Sequence, residues 1–495
     1  MEQLAGLDAA FLYLDAKNAP MHVGGVHLYA PPDDGFGFAG FRAHVAACLD
    51  GSPIFRRRVV HVPLRLARPF WVEDPHFDLD AHLQHSALPA PGDWVRLREL
   101  AQRMISRPLD PERPLWHMTF VEGLSGVPGL PGNAFAVIVR VHHAAADGAG
   151  TLDLFNALWS RTPQQRRRRP RHGWRPETVP GPLDLLRRGV TGTLVQPRAA
   201  AGWAWKLARG GLGGLFEGGR HSAPLLFRAA KSPFNIPISS RRSFDAVDLP
   251  LDGLRAAREP VPGATVNDVV LTVCSGGLRR YLAARADPVP EDLVAMAPIS
   301  VRASMQDGAN RVSAMLVPLE SGCADPLLRL GRIHRHAVDS KAYAGAIGAR
   351  TLADSSRVVP FSLATAAARL YSGMHLSRYH RPPFNLVITN VPGPRETLYL
   401  GPAALVRGYG TAPVLDGLGL ILVVTSYRDT LTISATAGHE AVPDPDRLVA
   451  CIRDSFDELS AAAAARREPQ RAEARPVARK PRRRVARKGR SLGRG

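Results

Sequence analysis

The segment His142-His143-Ala144-Ala145-Ala146-Asp147-Gly148 is the part of the chain whose residue types and spacing could do chemistry. It follows the run 134–141, which is apolar except for one arginine and predicts a buried strand. A strand end holds a side chain at a fixed place, and an imidazole of near-neutral pKa can remove a proton from a hydroxyl. The spacing alone leaves two interpretations open. His143 is either a general base or an ordinary loop histidine before the Asp147-Gly148 turn.

The elements that must position this segment fall into two regions of similar make-up. Each combines several β-type runs with amphipathic helices, which predicts an α/β (α+β) fold with mixed sheets. In the first region, strands are predicted at 115–122 and 134–141, and helices at 94–105 and 151–160. The second region opens with a strand at 243–249 and a helix at 265–284, and further strands are predicted at 293–299, 312–319, 384–389, 418–426 and 430–437.

Composition divides the chain further. We predict a first lobe over 1–160, a basic, glycine-rich linker with amphipathic parts over 161–240, and a second lobe over 241–462. The remaining segment, 463–495, is rich in arginine and alanine and poor in large apolar residues, so we predict a disordered basic tail.

The formal net charge of +20 is concentrated in two places. Residues 466–495 carry a net +11 and residues 161–188 a net +7, so the rest of the chain is close to neutral. Such segments attract anionic lipid or other polyanions, or they act as solvated, solubilising tails. Specific nucleic-acid binding is not expected, because no recognised binding fold or interleaved aromatic residues accompany the charge.

Several classes of protein are disfavoured by the sequence. The four cysteines, at 48, 274, 323 and 451, have no paired or metal-like spacing, which predicts free thiols in a reducing compartment. The histidines outside the motif have no ligand spacing, so no metal site is expected. No serine lies in a Gly-x-Ser-x-Gly turn, which argues against a covalent acyl-enzyme. No leader peptide or spanning helix is expected either.

The His-His-x-x-x-Asp-Gly pattern resembles the active-site motif of the bacterial wax ester synthase/diacylglycerol acyltransferase family, within the chloramphenicol acetyltransferase-like superfamily. Further segments match the family in order and spacing over about residues 4–460. In the first half they are Leu4 to Phe11, Ala19 to Gly25, Pro53 to Arg58, Phe70-Trp71-Val72 and Arg113 to Trp116. In the second half they are Asn267 to Leu271, Pro298 to Arg302, Gly308 to Arg311 and Thr389-Asn390-Val391-Pro392-Gly393-Pro394.

The resemblance implies two acetyltransferase-like lobes with the active site in a channel between them. It implies direct acyl transfer, with His143 as general base, His142 as its support, and Asp147 and Gly148 shaping the turn. Asn267 is a candidate oxyanion donor, and the alternative is that it caps the helix that begins there. The three central alanines depart from the larger residues common in the family, which is expected to change the width of the pocket.

The implied substrates are a long-chain acyl-CoA, as co-substrate without any cofactor, and diacylglycerol as acceptor. The resemblance leaves two alternatives open: a wax ester synthase acting on long-chain fatty alcohols, or a non-catalytic lipid-binding homologue. Because such acceptors do not dissolve in water, we expect a cytoplasmic protein peripherally associated with the inner face of the membrane or with lipid inclusions.

Overall fold

The computed structural model describes residues 1–32, 35–65, 67–146, 154–163, 178, 180–187, 229–287, 289–300, 312–347 and 381–474. Its principal helices are α1 (Gly6–Leu14), α2 (Phe38–Cys48), α3 (Trp94–Ile105), α4 (Leu251–Ala257), α5 (Val266–Ala284), α6 (Pro326–Ile347) and α7 (Pro445–Ala474). In the first half of the chain the strands are β1 (Glu2–Gln3), β2 (His22–Ala30), β3 (Arg57–Val60), β4 (Phe70–Glu73), β5 (Leu83–Ala87), β6 (Trp116–Glu122), β7 (Phe135–His142) and β8 (Trp159–Ser160). In the second half they are β9 (Arg242–Pro250), β10 (Val294–Ser300), β11 (Val312–Pro318), β12 (Leu386–Val391), β13 (Tyr399–Leu400), β14 (Ala403–Thr411), β15 (Leu420–Tyr427) and β16 (Thr430–Gly438).

The described strands form three sheets. The first has the order β5-β6-β7-β2-β14-β13-β8, and only its β5–β6 pair is parallel. The second has the order β11-β10-β12-β15-β16-β9, with parallel pairs at β10–β12 and β12–β15. A small third sheet, β1-β4-β3, is antiparallel. The predicted fold class is confirmed, because mixed sheets flanked by helices make up both halves.

Strand β7 lies inside the first sheet, and all eight of its residues are buried. Val137, Val139 and Val141 pack in the cluster that contains Phe41 of α2. Ala136 and Ile138 point to the other face, where they pack with α3. A strand covered on both faces is largely apolar, which explains why the sequence before His142 is apolar except for Arg140.

The second lobe builds its core between its sheet and the helices α5 and α7. Gly277 of α5 allows close approach, because a Cβ there would lie 2.6 Å from Cγ1 of Ile452 on α7. Helix α7 continues past residue 463, where the sequence predicted the disordered tail to begin, and ends at Ala474. The predicted start of the disordered tail at residue 463 is therefore wrong. Five alanines at 461–465 favour helix, and Ala463 is fully buried in it.

One segment crosses from the second half of the chain into the first sheet. Strands β13 and β14 lie inside the predicted second lobe, 241–462, yet β14 pairs with β2 and β13 pairs with β8. The predicted helix over 151–160 is also shorter than expected, because helix is found at 154–158 and Trp159–Ser160 is strand β8. This strand forms because Tyr399 and Leu400 supply a partner from far along the chain. Most of the predicted linker, 161–240, lies outside the described residues.

In the described part of the chain, no helix has the length and apolar character needed to cross a membrane. None of the four cysteines, all of which lie in described residues, forms a disulfide bond, and Cys48 and Cys274 are buried.

Candidate active site

His143 lies at the point where β7 ends and a single turn of 3-10 helix, His143–Ala145, begins. Its backbone N–H donates to the carbonyl oxygen of Met21 over 2.7 Å, which ties the turn to the residue just before β2. Its imidazole stacks on Phe11, with ring centroids 3.8 Å apart and planes inclined by 17°. Its Nδ1 is buried without a hydrogen-bond partner among the described residues. The imidazole is thus covered on one face by Phe11, and no described group occupies its Nδ1.

Helix α1 brings Phe11 to this position. The buried side of α1 presents Ala9 and Tyr13, which pack with Leu4 against Ala144 of the motif. Ala144 is 2% exposed, so a larger side chain there would push α1 away from His143. The alanine at 144 therefore fits the packing beneath α1.

His142 is more deeply buried than His143, with 3% of its surface exposed. Its Nδ1 accepts a hydrogen bond from the backbone N–H of Ala144 over 3.1 Å, so it caps the turn that carries His143. With Nδ1 as acceptor, a neutral ring carries its proton on Nε2. That atom lies 3.9 Å from Oδ2 of Asp15. His142 therefore supports the turn that carries His143 through its hydrogen bond with Ala144.

Burial sets the protonation of this cluster. It lowers the pKa of His143, and it lowers the pKa of His142 to about 3, with a smaller contribution from the charge of His143. The pKa of His22, which pairs with His142 across the strands, is lowered to about 3 by burial and then by Arg140. Burial raises the pKa of Asp15. At neutral pH these imidazoles are therefore uncharged, as a proton acceptor must be.

The segment between α1 and β2 links the two lobes at this site. Asp15 accepts a hydrogen bond from the N–H of Met21 over 2.9 Å, which closes the segment into a loop. The guanidinium of Arg242, on β9, donates to the carbonyl of Asn18 in that loop and to the carbonyl of Ser239. The loop that holds His143 is thereby fixed from the second lobe.

Sequence reasoning missed Phe11, Asp15 and Met21 as parts of the site. The stretches around Phe11 and Met21 entered only as matches to the family's amino-terminal segment. Their contact with His143 depends on α1 folding over the end of β7, for which residue spacing gives no signal.

Asn267 lies in the second lobe, at the start of α5. The cap of this helix is Thr265, whose side chain accepts from the N–H of Asp268 while Asp268 accepts from the N–H of Thr265. The alternative that Asn267 caps the helix is therefore wrong, because a capping box already satisfies these groups. Instead, Oδ1 of Asn267 accepts a hydrogen bond from Nδ2 of Asn390 over 3.0 Å. The structure does not bring Asn267 into contact with His143.

Asp147 and Gly148 lie outside the described residues. Within the described ranges, no group of three or more His, Cys, Asp or Glu side chains is arranged to hold a metal ion.

Two family models match the chain. Residues 4–270 match the wax ester synthase/diacylglycerol acyltransferase catalytic domain. Residues 308–460 match the WS/DGAT C-terminal domain. The first match alone spans more than half of the chain.

Similar proteins have been named in mycobacteria. A Mycobacterium tuberculosis H37Rv protein named as a diacylglycerol O-acyltransferase is 32% identical over 464 residues, covering 93% of this chain and 99% of the relative. A second protein of that strain with the same designation is 31% identical over 494 residues, covering 95% and 99%.

Among solved structures, the wax ester synthase/diacylglycerol acyltransferase from Marinobacter aquaeolei VT8 is similar, with a TM-score of 0.67 and 26% identity. The match covers 93% of this chain and 100% of that one. The first condensation domain of the CDA synthetase matches with a TM-score of 0.54 at 14% identity, covering 94% and 96%, and shows the shared fold alone. The chain therefore belongs to the wax ester synthase/diacylglycerol acyltransferase family.

Proposed function

We propose that this protein transfers the acyl group of a long-chain acyl-CoA to the free hydroxyl of a diacylglycerol, forming triacylglycerol. The observation that carries the proposal is the imidazole of His143, which is uncharged at neutral pH, stacked on Phe11 and fixed at the end of β7. Family membership supports acyl transfer, and the mycobacterial relatives named as diacylglycerol O-acyltransferases support this acceptor.

The proposed reaction is a direct transfer. His143 takes the proton of the acceptor hydroxyl while that oxygen attacks the carbonyl carbon of the thioester. The resulting tetrahedral oxyanion collapses, the carbon–sulfur bond breaks, and the imidazolium returns its proton to the CoA thiolate. The products are an ester and free CoA. The step uses acyl-CoA as co-substrate and the side chains of this chain, without a cofactor or metal.

Four further residues complete the proposal. The side chain of His142 caps the turn that presents His143, so its role is support. For the turn after His143, we keep the roles proposed from the sequence. The carboxylate of Asp147 anchors this turn, and Gly148 permits its backbone conformation. Asn267 is proposed to donate a hydrogen bond to the oxyanion, which fits the finding that helix capping is left to Thr265.

The test is release of CoA thiol from palmitoyl-CoA, first with a diacylglycerol and then with hexadecanol as acceptor. We expect release with the diacylglycerol and a fall in kcat of about 10²–10⁴-fold in His143→Ala and His143→Gln, the range for loss of a general base. His76→Ala, a change of an exposed histidine, serves as the control.

Each contrary result of this assay has a distinct meaning. Full turnover in His143→Ala contradicts the mechanism. Release with hexadecanol alone makes the enzyme a wax ester synthase, an activity included in the name of the Marinobacter relative. Release with neither acceptor favours a non-catalytic lipid-binding protein.

We also propose that the enzyme meets its acceptor at an anionic lipid surface, that of a membrane or a lipid droplet. The support is the chemistry of the acceptor, which is insoluble in water, and the concentration of positive charge in residues 161–188 and 466–495.

A further inference from the structure

The hydrogen bond between Asn390 and Asn267 joins the end of a strand to the start of a helix in the second lobe. Asn390 is the fifth residue of β12, which lies between β10 and β15 in the sheet, and it pairs directly with Val424 of β15. Its backbone is therefore fixed on a sheet, while its side chain reaches out to the exposed end of α5.

The segment after Asn390 fixes the end of β12 in place. The N–H of Gly393 donates to the side chain of Ser426 over 3.1 Å, and the N–H of Arg428 donates to the carbonyl of Pro394 over 3.0 Å. A Cβ on Gly393 would lie 2.0 Å from the carbonyl oxygen of Ser426, so only glycine allows this approach. Hydrogen bonds of the Asn-Val-Pro-Gly-Pro segment, residues 390–394, thus hold the end of β12 against the end of β15.

In this contact Asn390 is the donor and Asn267 the acceptor. A carboxamide offers an oxygen that only accepts and a nitrogen that only donates. Because Oδ1 of Asn267 accepts from Asn390, Nδ2 of Asn267 is the group left to donate elsewhere. In the reverse orientation, Asn267 would present its oxygen and repel a developing negative charge.

We propose that Asn390 is a positioning residue that holds the Asn267 amide with its N–H groups toward the oxyanion. This inference rests on the proposed function, since it requires Asn267 to be the donor. Preorganised donors are effective because they need no reorientation when charge develops. Asn390 acts through Asn267 and does not touch the substrate.

The decisive variant is Asn390→Asp, which has nearly the same shape but can only accept. Its carboxylate would draw Nδ2 of Asn267 toward itself and so reverse the amide. We expect kcat to fall about 10-fold or more, towards the 10²–10³-fold loss typical of a missing oxyanion donor, while KM for palmitoyl-CoA stays within about twofold. Asn390→Ala, which leaves the amide unfixed, is expected to have a smaller effect on kcat.

A double-mutant cycle separates positioning from a direct effect of charge. In an Asn267→Ala background, neither Asn390→Asp nor Asn390→Ala is expected to lower kcat further.

Val391→Asp is the matched control. It places a carboxylate on the next residue, which is 55% exposed and faces the other side of the strand, and we expect kcat within about twofold of wild type. Melting temperatures of all variants check folding, and Asn390→Ala, with its smaller expected loss of kcat and the same dependence on Asn267, carries the test if Asn390→Asp does not fold.

Two results would overturn the inference while leaving the proposed function intact. One is a full kcat in Asn390→Asp although Asn267→Ala lowers kcat. The other is an equal loss from Asn390→Asp with and without Asn267. If Asn267→Ala itself keeps full kcat, the donor role of Asn267 fails and the inference fails with it. The effect of His143→Ala on thiol release decides the transferase mechanism independently.

Discussion

At the scale of single residues, the surroundings of His143 account for its suitability as a base. Burial disfavours the charged form of an imidazole and lowers its pKa, so the neutral form persists to a lower pH than in water. Phe11 contributes to this burial directly, because its ring covers one face of the imidazole at 3.8 Å. The same contact limits how far the ring can turn.

Replacing Phe11 should therefore change the pH dependence of the enzyme. In Phe11→Ala, water reaches the imidazole, so the pKa of His143 rises towards its ordinary value near 6.5. Less of the base is then neutral at pH 6, and the acid limb of the kcat/KM profile moves to higher pH. Phe11→Leu, which keeps an apolar cover, should shift the limb less.

Leu14→Ala is the control for this shift, since Leu14 lies on the same helix and is 37% exposed. Its acid limb should coincide with that of the wild type. An unmoved acid limb in Phe11→Ala would show that Phe11 does not set the protonation of His143.

The residue scale also shows what sequence can predict. His142 and His143 could be singled out because they follow a run whose burial is visible in the sequence. Phe11 and Asp15 could not, because an aromatic residue on a short helix, or a carboxylate just after it, is ordinary until α1 packs over the end of β7. Asn267 lies between these cases. The sequence placed it at the start of a helix, but only the capping box of Thr265 and Asp268 excluded the interpretation that Asn267 is the helix cap.

At the scale of elements, the first sheet places β7, which ends at His142, beside a strand with two adjacent glycines, Gly24 and Gly25 of β2. Gly24 of β2 pairs with Arg140 of β7, two residues from His142. A Cβ on Gly24 would lie 1.8 Å from the carbonyl oxygen of Val139, which is backbone and cannot swing away. The close approach of β2 to β7 therefore requires glycine at this position.

Gly24→Ala should separate β2 from β7 and displace the turn that carries His143. We expect a loss in the free energy of unfolding on the order of 3 kcal/mol, as for severe overpacking, and loss of thiol release. Gly132→Ala is the matched control, because a Cβ there meets no atom within 4 Å. Equal melting temperatures for the two variants would contradict the close packing described for β2.

Strand existence was predictable and strand partnership was not. Largely apolar runs identified β7 and β15, since strands buried on both faces need them. The pairing of β14 with β2, however, joins residues nearly 400 positions apart along the chain. Its sequence, with glycines at 408 and 410, lacks the apolar run that marks a strand.

At the scale of the whole molecule, the two lobes are joined by specific polar contacts as well as by β14. Asp245 of β9 is buried and accepts from the indole N–H of Trp94 over 2.8 Å, and it pairs with Arg98 on the same helix. The side chain of Gln102 donates to the carbonyl of Phe244. Composition predicted two lobes, but these contacts depend on α3 facing β9, which only the folded arrangement defines.

Charge is the other property of the whole molecule, and it is nearly separable from the fold. Residues 475–495 begin after the last residue of α7 and hold ten arginines and lysines with no acidic residue. Deleting them leaves the helix complete and halves the formal charge of +20. Each basic residue near an anionic surface contributes roughly 1 kcal/mol of attraction, so the loss should weaken membrane binding strongly.

We expect the protein lacking residues 475–495 to sediment with phosphatidylglycerol vesicles at least about tenfold less than the full chain, and both proteins to bind weakly to phosphatidylcholine. Attraction of the full chain to these vesicles should also fall as salt shortens the range of the charges.

A tail of equal length with glutamine in place of each basic residue separates charge from length. Turnover of a short-chain, water-soluble alcohol should stay the same, because α7 and the site around His143 are unchanged. Undiminished sedimentation after the deletion would place lipid attraction elsewhere in the chain, with the basic residues of 161–188 as the next candidate.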